Sequence, residues 1–195
     1  MQTVKLKDDQ HLIETKLASS EILKGRFLHA FRDTVELPNG TETSREYVVH
    51  PGAVMIIPLL DNGDLVLERQ YRYPIGSVMI EFPAGKLDPG EDRLSCAKRE
   101  LLEETGYSAA HWAKAGICHP VISYSTELIE IWFAKGLTPG QTCLDEGEFV
   151  EVIQTPSSDF FEWCRNGTIT DAKTLSGALW LQNWLSGSWE LSWIS

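Results

Sequence analysis

The segment from Gly85 to Tyr107, GKLDPGEDRLSCAKRELLEETGY, constrains the fold of this chain more than any other part of the sequence. It contains Glu100, Glu103 and Glu104 at helical spacing. Residues three and four apart are neighbours on a helix surface, so these carboxylates form one stripe. A less polar stripe, about a third of a turn away, consists of Leu94, Ala97, Leu101 and Thr105. Such a helix can face the core with one stripe and a cleft with the other.

The ends of this helix can also be predicted from the sequence. Asp92 is a typical N-cap residue, Pro89-Gly90 forces a turn just before it, and Gly106 is well placed to end the helix. We therefore predict a helix of about four turns. Its glutamates repel one another and need an offsetting cation, and Arg99 supplies only part of that positive charge.

Three carboxylates on one helix face suit a hard divalent cation. Mg²⁺ takes oxygen ligands, keeps several waters and is commonly held by one or two carboxylates together with substrate phosphates. The alternative interpretation of a short REL-x-EE string is an ordinary solvated acidic helix face. The residues around the string decide between these two interpretations.

The longer pattern resembles the Nudix box at every position. The matching positions are Gly85, Glu91, Arg99-Glu100-Leu101, Glu103-Glu104, Gly106 and an apolar Tyr107. At ordinary residue frequencies a chance match somewhere in this chain is rarer than about one in a million. The chain is therefore identified as a member of the Nudix hydrolase superfamily.

This resemblance implies a fold, an activity and a set of metal ligands. Nudix proteins have an α/β/α sandwich fold around a mixed sheet, in the α/β class, and hydrolyse nucleoside diphosphates linked to another moiety. The implied cofactor is Mg²⁺, with Mn²⁺ possible, bound by Glu100, Glu103, Glu104 and the backbone carbonyl of Ala84. Arg99 resembles an orienting residue and, with Glu103, belongs to the expected catalytic residues.

Such ions neutralise the diphosphate, position the leaving oxygen and lower the pKa of a bound water so that it can attack phosphorus. Phosphoryl transfer leaves the protein mainly positioning and electrostatics to supply, so no Ser-His-Asp arrangement is needed. Relatives place a glutamate that acts as the base in a mobile loop after the box. Glu148 is the first candidate and Glu146 the second, and a merely solvated acidic loop is the alternative.

The flanking segments resemble the ADP-ribose pyrophosphatase (ADP-sugar diphosphatase) branch over about residues 22–185. The matching runs are Arg45-Glu46, His50-Pro51-Gly52-Ala53, Arg69-Gln70-Tyr71-Arg72-Tyr73-Pro74 and Glu81-Phe82-Pro83-Ala84-Gly85. The branch implies hydrolysis of ADP-ribose to AMP and ribose 5-phosphate. Another nucleoside diphosphate sugar, such as GDP-mannose or ADP-glucose, and a non-catalytic nucleotide-binding Nudix module are the alternatives. The intact glutamate set speaks against the second of these.

The same branch implies four substrate contacts. Arg45 and Arg72 match arginines that contact phosphate or ribose, a task suited to the forked donors of a guanidinium. Glu127 matches a substrate-contacting glutamate, and Phe27 corresponds to an aromatic that stacks on adenine across a dimer. Surface charges and a core aromatic are the ordinary alternatives. The chain departs from the branch at Ile122-Ser123, where relatives often carry a proline, so the substrate is less firmly implied than the chemistry.

The sequence divides into two regions. Residues 1–50 are predicted to form an N-terminal antiparallel β extension, which in the branch is exchanged between the protomers of a homodimer. Residues 51–195 are predicted to form the Nudix domain, with the box at 85–107. Its expected element order is several strands, the box helix, further strands and two helices.

Composition supports an enzyme and excludes several other classes of protein. With 195 residues, 43% hydrophobic and 23% charged, the chain can bury a substantial core. No apolar run approaches the roughly 18 residues of a membrane span, and the expected location is cytoplasmic. A net charge of −11 argues against binding to nucleic acid or to an anionic membrane. The four cysteines lack C-x-x-C spacing and are expected to be reduced thiols.

Overall fold

The computed structural model describes residues 9–195, which divide into two compact units. The first unit extends to His50 and includes residues 121–127, which the sequence had not assigned to it. The second unit contains residues 51–120 and 128–195. Residues 1–8 of the predicted N-terminal region lie outside the described part of the chain.

The first unit contains a three-stranded antiparallel sheet in the order β1-β2-β3. Its strands are β1 (Thr15–Lys24), β2 (His29–Glu36) and β3 (Glu42–Val48), preceded by a 3-10 helix at Gln10–Leu12. The buried carboxylate of Asp33 accepts hydrogen bonds from the Ser19 hydroxyl at 2.6 Å and the Tyr47 hydroxyl at 3.1 Å. Every residue of the edge strand β1 is exposed.

The second unit contains, within the described residues, an eight-stranded sheet and three helices. The strands are β4 (Ala53–Leu59), β5 (Asp64–Arg72), β6 (Ser77–Glu81), β7 (Ala84–Lys86), β8 (Tyr107–Cys118), β9 (Ile129–Pro139), β10 (Val150–Pro156) and β11 (Trp193–Ile194). The helices are α1 (Arg93–Thr105), α2 (Ser157–Asn166) and α3 (Ala172–Leu185). The sheet runs β10-β5-β4-β9-β8-β11, with β6 paired to β5 and β7 to β4. Because β4 and β9 are parallel and the other pairs antiparallel, the sheet is mixed.

The central strand β4 is buried along its whole length because helices cover both faces of the sheet. Alternate residues of a strand point to opposite faces. Met55 belongs to one core cluster with Phe160 of α2 and Leu181 of α3. Val54 belongs to a second cluster with Leu101 of α1. These two cores confirm the predicted α/β/α sandwich around a mixed sheet.

Most of the predicted elements are present, but the long strand β8 was not predicted. Its sequence, YSAAHWAKAGIC, is rich in alanine and contains lysine and glycine, which are depleted in strands. The strand pairs with β9 along its length and with β11 near its middle, and it has an irregularity between Lys114 and Gly116. Pairing and burial of Trp112 hold this segment as a strand despite its composition. No helix within residues 9–195 is long and apolar enough to cross a membrane.

Candidate active site

Helix α1 carries the box glutamates, and both of its ends are fixed as the sequence predicts. The Asp92 side chain accepts hydrogen bonds from the backbone N–H groups of Leu94 at 3.1 Å and Ser95 at 3.0 Å. Gly106 ends the helix in the left-handed region at a φ of 75°. Burial of Leu101 holds the apolar stripe against the core. The glutamate stripe is therefore held in a defined orientation.

Strand β7 lies directly against the glutamate stripe. A Cβ atom added to Gly85 would lie 1.8 Å from the Cδ atom of Glu100. The backbone N–H of Ala84 donates a hydrogen bond to Oε2 of Glu104 at 3.0 Å. The structure thus brings together three of the predicted metal-binding residues, Ala84, Glu100 and Glu104.

Arg99 links the glutamates of α1 to the loop before the helix. Its Nη1 donates to Glu100 Oε1 at 2.8 Å and to Glu103 Oε2 at 3.0 Å. Its Nε and Nη2 each donate to the Glu91 carboxylate at 2.9 Å. These hydrogen bonds raise the pKa of Arg99 and lower the pKa of Glu91 to about 2. Arg99 is therefore an organising residue that also offsets part of the negative charge.

Four glutamates interact in what we call the carboxylate cluster, defined as Glu68, Glu100, Glu104 and Glu148. Burial raises the pKa of Glu104, and repulsion from the other three members raises it further. Burial also raises the pKa of Glu100. Burial raises the pKa of Glu68 as well, although a hydrogen bond with Glu104 opposes this shift. The ionised forms of these side chains therefore require added positive charge.

Glu68 was not predicted as a site residue. It follows the buried residues Leu65–Leu67 on β5, is only 3% exposed, and its Oε1 has no hydrogen-bond partner among the described residues. A lone glutamate directly after three apolar residues is the sequence signal that could have identified it. Alternation alone does not distinguish such a residue from an ordinary solvent-facing position.

Arg72 is held by a buried carboxylate next to the cluster. Its Nε and Nη2 donate to the two carboxylate oxygens of Glu81 at 2.7 and 2.8 Å. Lys173 of α3 also donates to Glu81. Burial acts to raise the pKa of Glu81, but the bonds from Arg72 and Lys173 outweigh it and lower that pKa overall. Arg72 stays a predicted substrate contact, and Glu81 and Lys173 are two partners that the sequence did not indicate.

The two candidate bases have different surroundings. Glu148 accepts a hydrogen bond from Gln70 Nε2 at 3.3 Å, and its charge raises the pKa of Glu68, Glu100 and Glu104. Glu146 is exposed in a turn, and its charge is not among the main causes of these shifts. The geometry therefore favours Glu148 over Glu146, although the base itself stays a prediction.

Three predicted substrate contacts lie in the first unit. Arg45 donates to both carboxylate oxygens of Glu14, at 3.0 and 2.6 Å. Phe27 is 63% exposed and its ring lies edge-on to His50, with 6.5 Å between centroids. Glu127 is half-buried, 3.9 Å from the same histidine. The exposure of Phe27 disagrees with a core role, and the three substrate assignments stay predictions.

The donor set of the carboxylate cluster suits a hard divalent cation. Carboxylate and backbone carbonyl oxygens are the ligands that Mg²⁺ and Mn²⁺ accept. The unpartnered oxygen of Glu68 and the raised pKa values of Glu100 and Glu104 both indicate missing positive charge. Among residues 9–195, no three His, Cys, Asp or Glu side chains are already arranged around a common metal position. Glu100 and Glu103 are instead turned toward Arg99.

Comparison with known proteins agrees with this description. Residues 49–175 match the NUDIX domain family, and residues 14–48 match the nucleoside diphosphate sugar hydrolase N-terminal domain. An ADP-ribose pyrophosphatase of Bacillus subtilis is 35% identical over 173 residues, covering 88% of this chain and 94% of the relative. A methanol dehydrogenase activator of Bacillus methanolicus is 37% identical over 173 residues, covering 87% and 92%. A crystal structure of an ADP compounds hydrolase superposes with a TM-score of 0.81 at 27% identity, covering 89% of this chain and 95% of that one.

A mixed-sheet sandwich that holds a glutamate-bearing helix against a short strand defines a hydrolase of the Nudix type. The chain belongs to the NUDIX domain family, whose match covers residues 49–175. The second match, at residues 14–48, adds the N-terminal domain found in nucleoside diphosphate sugar hydrolases.

Proposed function

We propose that this enzyme hydrolyses the diphosphate bridge of ADP-ribose to AMP and ribose 5-phosphate with the help of Mg²⁺. The observation that carries the proposal is the placement of Glu100 and Glu104 against β7, beside buried carboxylates that lack a compensating cation. Relatives named for ADP-ribose and ADP compounds, matched over most of the chain, support this substrate.

The cation would be held by Glu100, Glu104 and the carbonyl of Ala84, with Glu103 as a further ligand or a partner of its waters. It would supply charge neutralisation of the diphosphate and a water activated for attack on phosphorus. Arg99 orients Glu100 and Glu103 through its hydrogen bonds. Its positive charge also opposes the upward shift that burial gives to the pKa of Glu100.

The residues of the loop before β10 would complete the site. Glu148, held by Gln70, would accept the proton of the attacking water, because it lies close enough to the cluster to perturb its pKa values. Arg72 would contact the anionic substrate while Glu81 fixes its guanidinium. Arg45, Phe27 and Glu127 are proposed to bind the rest of the nucleotide.

We also propose a homodimer formed through the N-terminal strands. The support is the family resemblance of residues 14–48 and the exposure of the apolar side chains on β1. Leu17, Ile22 and Leu23 are 48%, 46% and 48% exposed, respectively. A long exposed edge strand is usually covered by another chain or element.

A panel of substrates tests the proposed activity. Purified enzyme is incubated with Mg²⁺ and ADP-ribose, ADP-glucose or GDP-mannose, and the products are separated by anion-exchange chromatography. We expect the highest kcat/KM for ADP-ribose, with AMP and ribose 5-phosphate formed in equal amounts. If the enzyme cleaves another sugar nucleotide efficiently and leaves ADP-ribose intact, ADP-ribose is rejected as the substrate. The proposed hydrolysis of a diphosphate bridge would still stand. Failure to cleave any of them would favour a non-catalytic module.

A further inference from the structure

Glu68 is a buried acidic side chain that the box does not account for. It lies on β5, opposite Glu81 of β6 and Val152 of β10 in the sheet register. Only 3% of the residue is exposed, and its Oε1 is buried without a hydrogen-bond partner among the described residues. An unsatisfied buried carboxylate oxygen is costly, so its position calls for a specific partner.

The nearby cations do not provide that partner. Arg72 donates two hydrogen bonds to Glu81, and Lys173 bonds to Glu81 and, at 3.0 Å, to Asp171. The attraction of Lys173 for Glu68 is weaker than the repulsion from Glu81 and from Glu148. The cations are therefore held by other carboxylates.

The other charged groups that act on Glu68 are acidic. Its carboxyl group meets that of Glu104 from α1, and the charges of Glu81 and Glu148 act on it as well. Like charges this close in a buried position repel strongly unless a proton or a cation lies between them. Glu104 in turn accepts the N–H of Ala84, the residue whose carbonyl belongs to the predicted ligand set. Glu68 therefore approaches the same position as the box ligands, from the sheet side.

We propose that Glu68 is a further metal-binding residue, which binds the divalent cation together with Glu104 from outside the box. This inference rests on the proposed function, because it assumes that the cation binds at the carboxylate cluster. A cation shared by Glu68 and Glu104 would satisfy the unpartnered oxygen and remove the repulsion between the two side chains. Strand β5, strand β7 and helix α1 would then each supply oxygen donors, the ligand type that hard cations prefer.

The test is Mn²⁺ binding to metal-free protein, measured by isothermal titration calorimetry and by the electron paramagnetic resonance signal of free Mn²⁺. Glu68→Gln keeps the shape of the side chain and removes its charge. We expect the Kd for Mn²⁺ at the tightest site to rise at least about tenfold. An Mn²⁺ Kd within twofold of wild type would overturn the proposal and leave Glu68 as the partner of a shared proton.

Glu130→Gln is a matched control, because Glu130 is also a buried carboxylate of the sheet but is paired with Lys114 and Arg93. We expect this variant to bind Mn²⁺ with wild-type affinity. If Glu130→Gln loses as much Mn²⁺ affinity as Glu68→Gln, the loss comes from the lower negative charge of the protein in general. That result would overturn the proposal.

Thermal melting gives a second readout that does not depend on activity. Without metal, Glu68→Gln should melt at a higher temperature than wild type, because the repulsion with Glu104 is removed. Saturating Mn²⁺ should then raise its melting temperature less than that of wild type. Glu68→Leu, which replaces the carboxylate with an apolar side chain of similar size, should show the same two shifts if the glutamine variant folds poorly. An equal Mn²⁺-induced shift in wild type and in the folded variant would contradict the proposal.

Measurements on wild type and on variants of the box glutamates distinguish a failure of this inference from a failure of the proposed function. If wild type cleaves ADP-ribose and binds Mn²⁺ through Glu100 and Glu104, but Glu68→Gln binds Mn²⁺ equally well, only the role of Glu68 fails. If Glu100→Gln and Glu104→Gln also leave Mn²⁺ binding unchanged, the metal site proposed for the enzyme fails with it.

Discussion

At the scale of single residues, the site depends on how each carboxylate is compensated. Glu91 and Glu81 have arginine or lysine partners, and the pKa of each is lowered. Glu104 has the Ala84 N–H and three carboxylate neighbours, and burial raises its pKa. Glutamates within the same unit therefore have pKa values shifted in opposite directions. Glu104, which has no arginine or lysine among its main partners, is therefore better suited to receive a metal ion than Glu81 or Glu91.

The first prediction concerns Glu104. Glu104→Gln should lower kcat/KM for ADP-ribose by about 100-fold or more, because a cation ligand is lost. The free energy of unfolding of the metal-free protein should not fall, since the amide oxygen can still accept the Ala84 N–H and a repelling charge is removed. Steady-state kinetics and urea denaturation measure the two quantities. Glu162→Gln, at an exposed glutamate of α2, is the control. A near wild-type rate in Glu104→Gln would remove this residue from the mechanism.

The second prediction concerns the pH dependence that Glu91 gives to stability. Arg99 holds the pKa of Glu91 at about 2 in the folded protein, below the ordinary value of 4.5. A carboxyl group whose pKa falls on folding stabilises the protein above its ordinary pKa, and this contribution is lost as pH falls toward the folded value. The free energy of unfolding of wild type should therefore exceed that of Glu91→Gln most clearly at neutral pH. The difference should shrink below about pH 4.5.

Urea denaturation of both proteins between neutral pH and the acid limit of folding measures that difference. Glu46→Gln removes an exposed carboxylate that pairs with Arg32 and provides a control, because exposed ion pairs contribute little at any pH. A wild-type advantage over Glu91→Gln that stayed constant as the pH fell through 4.5 would contradict the coupling between Glu91 and Arg99.

At the scale of secondary-structure elements, the site depends on the close approach of β7 to α1. Residue 85 must lack a side chain because the Glu100 carboxylate occupies the place of a Cβ atom. The backbone of Gly85 itself is not in the left-handed region, so alanine is compatible with its conformation. The requirement for glycine therefore comes from the neighbouring element.

This contrast gives the third prediction. In Gly85→Ala the flexible Glu100 carboxylate must move away, so we expect a loss of Mn²⁺ affinity and of activity of at least about tenfold with only a small change in stability. Gly63→Ala should behave in the opposite way. Gly63 has a φ of 88° and open space around it, so alanine there should cost about 1 kcal/mol of stability and leave activity near wild type. Steady-state kinetics measure the activity of both variants, and urea denaturation measures their stability. Full activity in Gly85→Ala would show that Glu100 need not occupy its present position.

The elements also show which parts of the structure could be predicted from the sequence. Helix α1 was predictable because its cap, its terminal glycine and its two stripes are local signals. Strand β8 was not, because its pairing with β9 outweighs the weak strand preference of its residues. Glu68 was missed for a related reason. Its burial results from the packing of β5 between β6 and β10 and from the approach of α1, all of which are long-range.

At the scale of the whole molecule, the N-terminal strand β1 is exposed along its whole length. Strand β1 has ten residues, all exposed, and forms one edge of the three-stranded sheet. Exposed aliphatic side chains on an edge strand favour association with another chain. The proposed homodimer would cover this edge.

The fourth prediction follows from that exposure. Sedimentation equilibrium at micromolar concentration should give the mass of two chains, each of 21.9 kDa. Leu17→Glu places a charge within β1 and should shift the protein toward the monomer, because burying an unpaired carboxylate in an interface is costly. Leu179→Glu introduces the same charge at a leucine of α3 that is 55% exposed, and it should leave the dimer intact.

Activity then shows whether the second chain matters for catalysis. If Phe27 stacks on the nucleotide of the partner's site, the monomeric Leu17→Glu protein should have a higher KM for ADP-ribose, while its Mn²⁺ affinity stays at the wild-type level because the carboxylate cluster lies within one chain. A monomeric wild type would reject strand exchange outright. If the monomeric variant has an unchanged KM, the nucleotide is bound by residues of a single chain. Strand β1 would then serve only to form the dimer.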